Sequence, residues 1–230
     1  MPRLFPILMT LLIFPAVAFS SVIMTGTRIV YPADLKNKTV QLTNPDGSPY
    51  LVQLSLDKGK DAEDEKIPFA ITPQFLRIEP HRGQSVRLTY LGDRLPNDRE
   101  TLYFLNFTQL PITGKNSLGE NKLVLAITSR VKIFFRPKGI AGSPDQIASH
   151  LVFRIVDKKL VVANQSGYYA TFRNISGKVK GKNVDLASSV SVPPMSEASW
   201  NLPPSVAKLD RLKLIMVNDY GVDVVSDVSL

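Results

Sequence analysis

The chain has 230 residues, 44% of them apolar, with 17 prolines, no cysteine and a formal net charge of +8. That length holds two domains of about 100 residues, and that composition belongs to folded, turn-rich sequence and not to disorder. Without cysteine, disulfide staples, thiol chemistry and cysteine-based zinc sites are excluded, and the scattered cations form no basic run or basic helix of the kind that nucleic acid demands.

Residues 1–20 read as a secretory signal peptide. Arg3 gives a positive start, Leu4 to Val17 is almost wholly apolar, and Ala16-Val17-Ala18 or Ala18-Phe19-Ser20 offers small residues for cleavage. The apolar run is short for a bilayer span and is broken by Pro6 and Pro15, and no later segment is long and apolar enough to cross. Export leads to an oxidising space, where both domains would rest on packing alone.

Short strands follow at Thr27 to Tyr31, Thr39 to Thr43 and Tyr50 to Leu56, the second closed by the turn Asn44-Pro45-Asp46-Gly47. Asp57 to Lys66 is charged, has no apolar period and reads as an exposed loop. Strands at Phe75 to Ile78, Val86 to Tyr90 and Leu102 to Leu110 come next, with a turn at Glu79 to Gly83 and a loop at Gly92 to Arg99. This spacing, without a helical period between, predicts an antiparallel sandwich. Its seventh strand is the long run Lys122 to Pro137, rich in branched and aromatic residues. Leu123, Leu125 and Ile127 share one face of it, and Val124, Ala126 and Thr128 the other. Arg130, Lys132 and Arg136 put three cations into the same strand, an odd choice for one meant only to fill a core.

Lys138 to Asp145 reads as a linker by its glycine and proline content. A second strand set is expected at Leu151 to Ile155, Leu160 to Ala163, Tyr168 to Ile175, around Val184 to Leu186, Ala198 to Leu202 and Leu212 to Val217. Pro193-Pro194 and Pro203-Pro204 punctuate it. The fold class is therefore all-β, two sandwich domains joined by a short linker, with no internal repeat visible.

Catalytic chemistry finds little to hold. His81 and His150 are far apart and belong to no metal or nucleophile motif, no phosphate-binding glycine loop is present, and the carboxylates Asp61, Glu63, Asp64 and Glu65 sit in the charged loop. No catalytic residue, metal or cofactor is expected.

In order, Thr27-Arg28-Ile29-Val30-Tyr31, Pro49-Tyr50-Leu51-Val52-Gln53, Thr72-Pro73, Leu76-Arg77-Ile78-Glu79-Pro80, Leu95-Pro96-Asn97-Asp98-Arg99-Glu100, Lys132-Ile133-Phe134-Phe135-Arg136-Pro137 and Asn218-Asp219-Tyr220-Gly221 form a specific set. Over essentially the whole mature chain the sequence resembles the periplasmic pilus chaperones of chaperone–usher assembly, the PapD-like family. The resemblance implies two immunoglobulin-like sandwiches with a cleft between them, in a signal peptide (1–20), an N-terminal domain carrying the donor strand (21–137) and a C-terminal domain (138–230). It implies a long strand lent to a pilus subunit whose own fold lacks its last strand, with Leu123, Leu125 and Ile127 entering the subunit's groove. Arg28 and Lys132 match the cations that hold the subunit's C-terminal carboxylate, and Glu100, Arg136 and Asp219 match an interdomain charged cluster. The implied partners are pilus or fimbrial subunits and an outer-membrane usher, with a self-capping dimer when no subunit is present.

Strict alternation puts Lys132 on the face opposite Leu123, Leu125 and Ile127, which a bulge, a twist or a cleft reached from both faces would reconcile. The sequence departs from the family at Leu54-Ser55-Leu56, where a tryptophan is usual, at Gln74, where a second proline is usual, and in lacking a second-domain disulfide found in some members. The short segment Pro111 to Asn121 resembles the branch serving rod-like pili and fimbriae. Two other readings are a pilus subunit or surface adhesin, and a secreted carbohydrate-binding or hydrolytic module. The first should be one incomplete domain, often with a cysteine pair; the second needs exposed aromatics, whereas Trp200, the single tryptophan, sits among strand residues.

Overall fold

The computed structural model describes residues 21–59, 66–112, 123–179, 182–204, 206, 209 and 211–229. The expected signal peptide, the carboxylates at 61 and 63–65, most of the Pro111 to Asn121 connection and Lys122 lie outside the described residues.

The first sandwich is built from β1 (Ile23–Met24), β2 (Arg28–Pro32), β3 (Asn37–Thr43), β4 (Tyr50–Asp57), β5 (Phe69–Thr72), β6 (Phe75–Ile78), β7 (Gly83–Tyr90), β8 (Thr101–Pro111) and β9 (Ile127–Arg136). One sheet has the order β1-β3-β7-β5 and the other β2-β9-β8-β4-β6. Alternation decides which side chains meet between them: Val52 and Leu54 of β4 and Tyr103, Leu105 and Phe107 of β8 are buried, while their sequence neighbours face outward. The fully buried Tyr31 meets Phe69 edge-on with centroids 5.2 Å apart. Its hydroxyl donates to Leu35 O (2.9 Å) and accepts from Tyr90 N–H (3.1 Å), so the ring is buried with its polar tip satisfied.

The second sandwich follows a 3-10 turn at Pro144–His150, capped by Ser143, and comprises β10 (Leu151–Val156), β11 (Lys159–Asn164), β12 (Ala170–Val179), β13 (Lys182–Val192), β14 (Ser196–Asn201), β15 (Arg211–Val217) and β16 (Asp223–Ser229). Its sheets run β10-β11-β14 and β13-β12-β15-β16. Leu160, Val162, Phe172, Ile175, Leu212 and Leu214 form its centre, and Trp200 packs against that core. Among the described residues the protein is thus all-β apart from one short 3-10 helix, in two immunoglobulin-like sandwiches.

Each sandwich closes one strand end with the same device. Asn44, just past β3, donates through Nδ2 to Ser48 O, Ile78 O and Glu79 O, and its Oδ1 accepts from Asp46 N–H. Asn164, at the end of β11, donates to Tyr168 O, Val192 O and Pro193 O and accepts from Ser166 N–H. Both amides are buried with their hydrogen bonds made, which is how such a group is tolerated in a core.

Several expectations need correction. The long strand is the ninth, not the seventh, because β1 (two residues) and β5 (Phe69–Thr72) add two strands before it. It begins at Ile127: residues 123–126 carry no strand pairing, although β8 runs on to Pro111 past the last pair, Gln109↔Ile127. Strand β16 was absent from the sequence reading, as Asp223, Ser226, Asp227 and Ser229 break up its valines. The 3-10 turn occupies the last part of the expected linker.

Candidate functional site

The cleft between the sandwiches is lined by one face of β9. Val131, Ile133 and Phe135 point into the first core, so Lys132, Phe134 and Arg136 must point the other way, toward the second sandwich. The register of β9 against β8 runs unshifted from Thr101↔Phe135 to Gln109↔Ile127. There is no bulge. Lys132 and Ile127 use opposite faces of one regular strand; Ile127 shares the face of Val131, Ile133 and Phe135, and the exposed Leu123 and Leu125 lie in the segment just before it.

Strand β2 lies parallel to β9 with Arg28 opposite Lys132, which sets the two cations side by side on the cleft face. Arg28 Nη1 donates to Val217 O (2.9 Å), and its guanidinium lies 5.8 Å from the centroid of the Phe134 ring. Arg28 Nε is buried without a hydrogen-bond partner. Lys132 Nζ donates to Ser191 Oγ (2.5 Å). Among the described residues neither cation makes an ion pair with a carboxylate. Burial pushes the Lys132 ammonium below its ordinary pKa, and the neighbouring Arg28 charge pushes it further. Burial likewise lowers Arg28, with the charges of Asp219 and Glu100 offsetting part of that. Two half-buried cations with no ion-paired carboxylate among the described residues carry a standing cost that a bound carboxylate would relieve through charge-assisted hydrogen bonds.

Beside them the structure brings Glu100, Arg136 and Asp219 together. Arg136 Nε donates to Glu100 Oε1 (2.7 Å), and Nη1 and Nη2 grip Asp219 Oδ2 (2.6 Å) and Oδ1 (2.8 Å) as a fork. Glu100 Oε2 accepts from Tyr169 N–H (2.8 Å), so one first-domain carboxylate is tied to the second-domain backbone. Burial raises the Glu100 pKa, opposed by Arg136 and the Tyr169 amide. For Arg136 burial works against the charge, but hydrogen bonds and charges from Asp219 and Glu100 prevail and hold it protonated above its usual value. A cavity of about 140 Å³ is lined by Arg28 and by all three residues of this cluster, with Phe134 and Tyr169 also in its wall.

The second feature is an open strand edge. Strand β2 pairs only with Lys132–Arg136, because the chain before it crosses to the other sheet, where β1 pairs with β3. Ile127–Val131 therefore have β8 on one side and no strand on the other among the described residues. Leu123 is 85%, Leu125 61% and Ile127 48% exposed, an apolar stripe next to unpaired backbone, the combination that folded proteins ordinarily suppress. Phe134, Tyr169, Ser191 and Val217 complete the cleft and went unnoticed in the sequence; alternation along β9 would have found Phe134, whereas the others come from a separate domain.

A two-sandwich protein with a cationic cleft and an open apolar strand edge is built to receive another chain, and comparison with known proteins agrees. Residues 21–141 match the PapD N-terminal domain of pili and flagellar-assembly chaperones, and residues 146–227 match the C-terminal domain of the pili assembly chaperone PapD. The chain belongs to this family of pilus-assembly chaperones. It is 37% identical over 217 residues to the chaperone protein HifB of Haemophilus influenzae, covering 90% of this chain and 86% of that one. The crystal structure of the YadV chaperone superposes with a TM-score of 0.80 at 29% identity, covering 92% of this chain and all of the other. The Salmonella enterica SafA pilin in complex with the SafB chaperone gives 0.78 at 27% identity, covering 94% of this chain and 99% of its counterpart. The readings as a pilus subunit or a secreted binding module are not favoured. The family is one of chaperones, not of enzymes, and no described helix is long and apolar enough to cross a membrane.

Proposed function

We propose that this protein works in the periplasm, where it captures pilus or fimbrial subunits by lending them β9 and its preceding segment, and passes them to an outer-membrane usher. The observation that carries the reading is the juxtaposition, among the described residues, of Arg28 and Lys132, two cations with no ion-paired carboxylate, with an unpaired strand edge at Ile127 and the exposed Leu123 and Leu125 just before it. A peptide whose terminal carboxylate sits on the cations has its C-terminus at the cleft end of β9. Its strand then runs away along the open edge in the direction parallel to β9, in line with β2. Backbone pairing supplies affinity along the edge, and the anchored carboxylate sets the register.

The stripe would enter the groove left by the subunit's missing strand. Fully burying each of the three side chains contributes about 1.5 to 3 kcal/mol, before the cost of association. Glu100, Arg136 and Asp219 fix the angle between the sandwiches, so that the cations and the edge stay aligned. Domain limits of 21–137 and 138–230 fit this division, with β9 as the last strand of the first unit. Without a subunit, the same edge pairs with a second copy of the chain as a self-capped dimer. Co-expression with the cognate subunit tests the reading: wild type protects the subunit from degradation, and the double variant Arg28→Ala, Lys132→Ala does not. Equal subunit yields would overturn it.

A further inference from the structure

We propose that Ser191, on the second sandwich, is a positioning residue for Lys132, so that the carboxylate anchor is built by both domains. The inference rests on the carboxylate reading of the cleft given above. Arg28 and Lys132 both come from the first sandwich, yet the acceptors that hold them come from the second: Val217 O takes Arg28 Nη1 (2.9 Å) and Ser191 Oγ takes Lys132 Nζ (2.5 Å). Ser191 lies opposite Thr171 in the β12–β13 ladder, and its hydroxyl donates to Thr171 Oγ1 (3.3 Å). A serine hydroxyl has one proton and two lone pairs. With the proton committed to Thr171, the lone pairs are left for the ammonium.

An ammonium on a four-carbon stem has three donors and much rotamer freedom. One hydrogen bond to Ser191 holds Lys132 in the cleft and leaves two donors for an incoming carboxylate. Both acceptors are neutral. A carboxylate in their place would pair with the cations and remove the demand for a subunit's carboxylate; apolar groups would leave Lys132 free to swing to solvent. The closing of the two domains by Arg136 and Asp219 thereby acquires a direct consequence for binding, because it brings β13 within reach of β9.

The test uses a synthetic peptide of alternating valine and serine ending in a free carboxylate, and the same peptide ending in an amide. Each is titrated into the wild type and into Ser191→Ala, Ser191→Thr, Lys132→Ala and the double variant Ser191→Ala, Lys132→Ala. Wild type prefers the acid. Ser191→Ala lowers affinity for the acid about tenfold and leaves the amide unchanged, as expected for a hydrogen bond to a charged group. Ser191→Thr, which keeps the hydroxyl, restores the preference, and removing Ser191 in the Lys132→Ala background has no further effect. The proposal is overturned if Ser191→Ala keeps the full preference for the acid, weakens both peptides alike, or adds its whole effect to that of Lys132→Ala. If the wild type binds acid and amide equally, the carboxylate reading itself falls, and this inference with it.

Discussion

Arg28 and Lys132 stand opposite one another across the parallel β2–β9 pair, two like charges on one face that donate to neutral acceptors and, among the described residues, form no ion pair with a carboxylate. Such a placement works against the stability of the free protein. Lys132→Met removes one of the two charges and retains most of the apolar stem, so the variant should unfold at a higher denaturant concentration than the wild type while losing subunit capture. A lower unfolding midpoint would show that Lys132 supports the fold rather than awaiting a ligand.

The same residue has a signature in pH. The folded-state pKa of Lys132 lies below the ordinary lysine value of 10.5, through burial first and the Arg28 charge second. Just below that value the unfolded chain holds more protons than the folded one, so this group's contribution to stability rises with pH across that window. Tyrosines such as Tyr169, raised by burial, act in the opposite direction at higher pH. The difference between wild type and Lys132→Met isolates the lysine. Urea unfolding across the alkaline range should show the wild type closing its stability gap with the variant as pH rises, and a constant gap would contradict it.

Arg136→Ala should cost more than Asp219→Ala. Both break the fork, but the arginine's loss also strands Glu100, whose side chain is 2% exposed, against 31% for Asp219. Breaking a buried pair by removing one partner costs about 3 to 5 kcal/mol, and the more exposed partner falls below that range. Thermal unfolding ranks the two variants, and solution scattering of Arg136→Ala should show a wider distribution of interdomain angles. Scattering and unfolding curves that overlay the wild type would reduce the cluster to surface charges.

Gly221 gives a steric test of the same interface. It has φ +81°, and a β-carbon there would run into Thr27 Oγ1, just before β2. Gly221→Ala therefore carries both a left-handed backbone cost of about 1 to 2 kcal/mol and a collision between the domains. Adding Thr27→Ala should relieve part of the collision and leave the backbone part. Equal stability of the single and double variants would place the whole cost in the backbone.

Much of this was legible in the sequence, for reasons that differ between elements. Alternation located β4, β6 and β8 because each has one wet and one dry face, and Phe75–Ile78 matched residue for residue. Alternation also set Lys132 against Leu123, Leu125 and Ile127, which looked like a conflict. The unshifted β9 register puts Ile127 and Lys132 on two faces of one strand, one in line with the core and one toward the cleft, while Leu123 and Leu125 precede the ladder. The strand's true start at Ile127 could not be read, because it is set by where the ladder with β8 ends, at the Gln109↔Ile127 pair, and not by the composition of β9. Nor could the paired roles of Asn44 and Asn164, whose partners are backbone carbonyls that leave no mark in side-chain identity. Ser191 and Val217 were hidden for a related reason: they meet Lys132 and Arg28 only because two separate domains close on one another.

Leu125→Glu tests the central claim most directly. Leu125 is 61% exposed in the free protein, outside the strand ladder. If it serves a groove that exists only in the complex, glutamate costs little until a subunit binds, and then places a charge in an apolar site. Denaturant unfolding of the isolated variant, run beside a pull-down with subunit, should give a wild-type midpoint and no captured subunit. Subunit captured at the wild-type level, or loss of the free fold, would contradict the assignment of this segment as the strand that is lent.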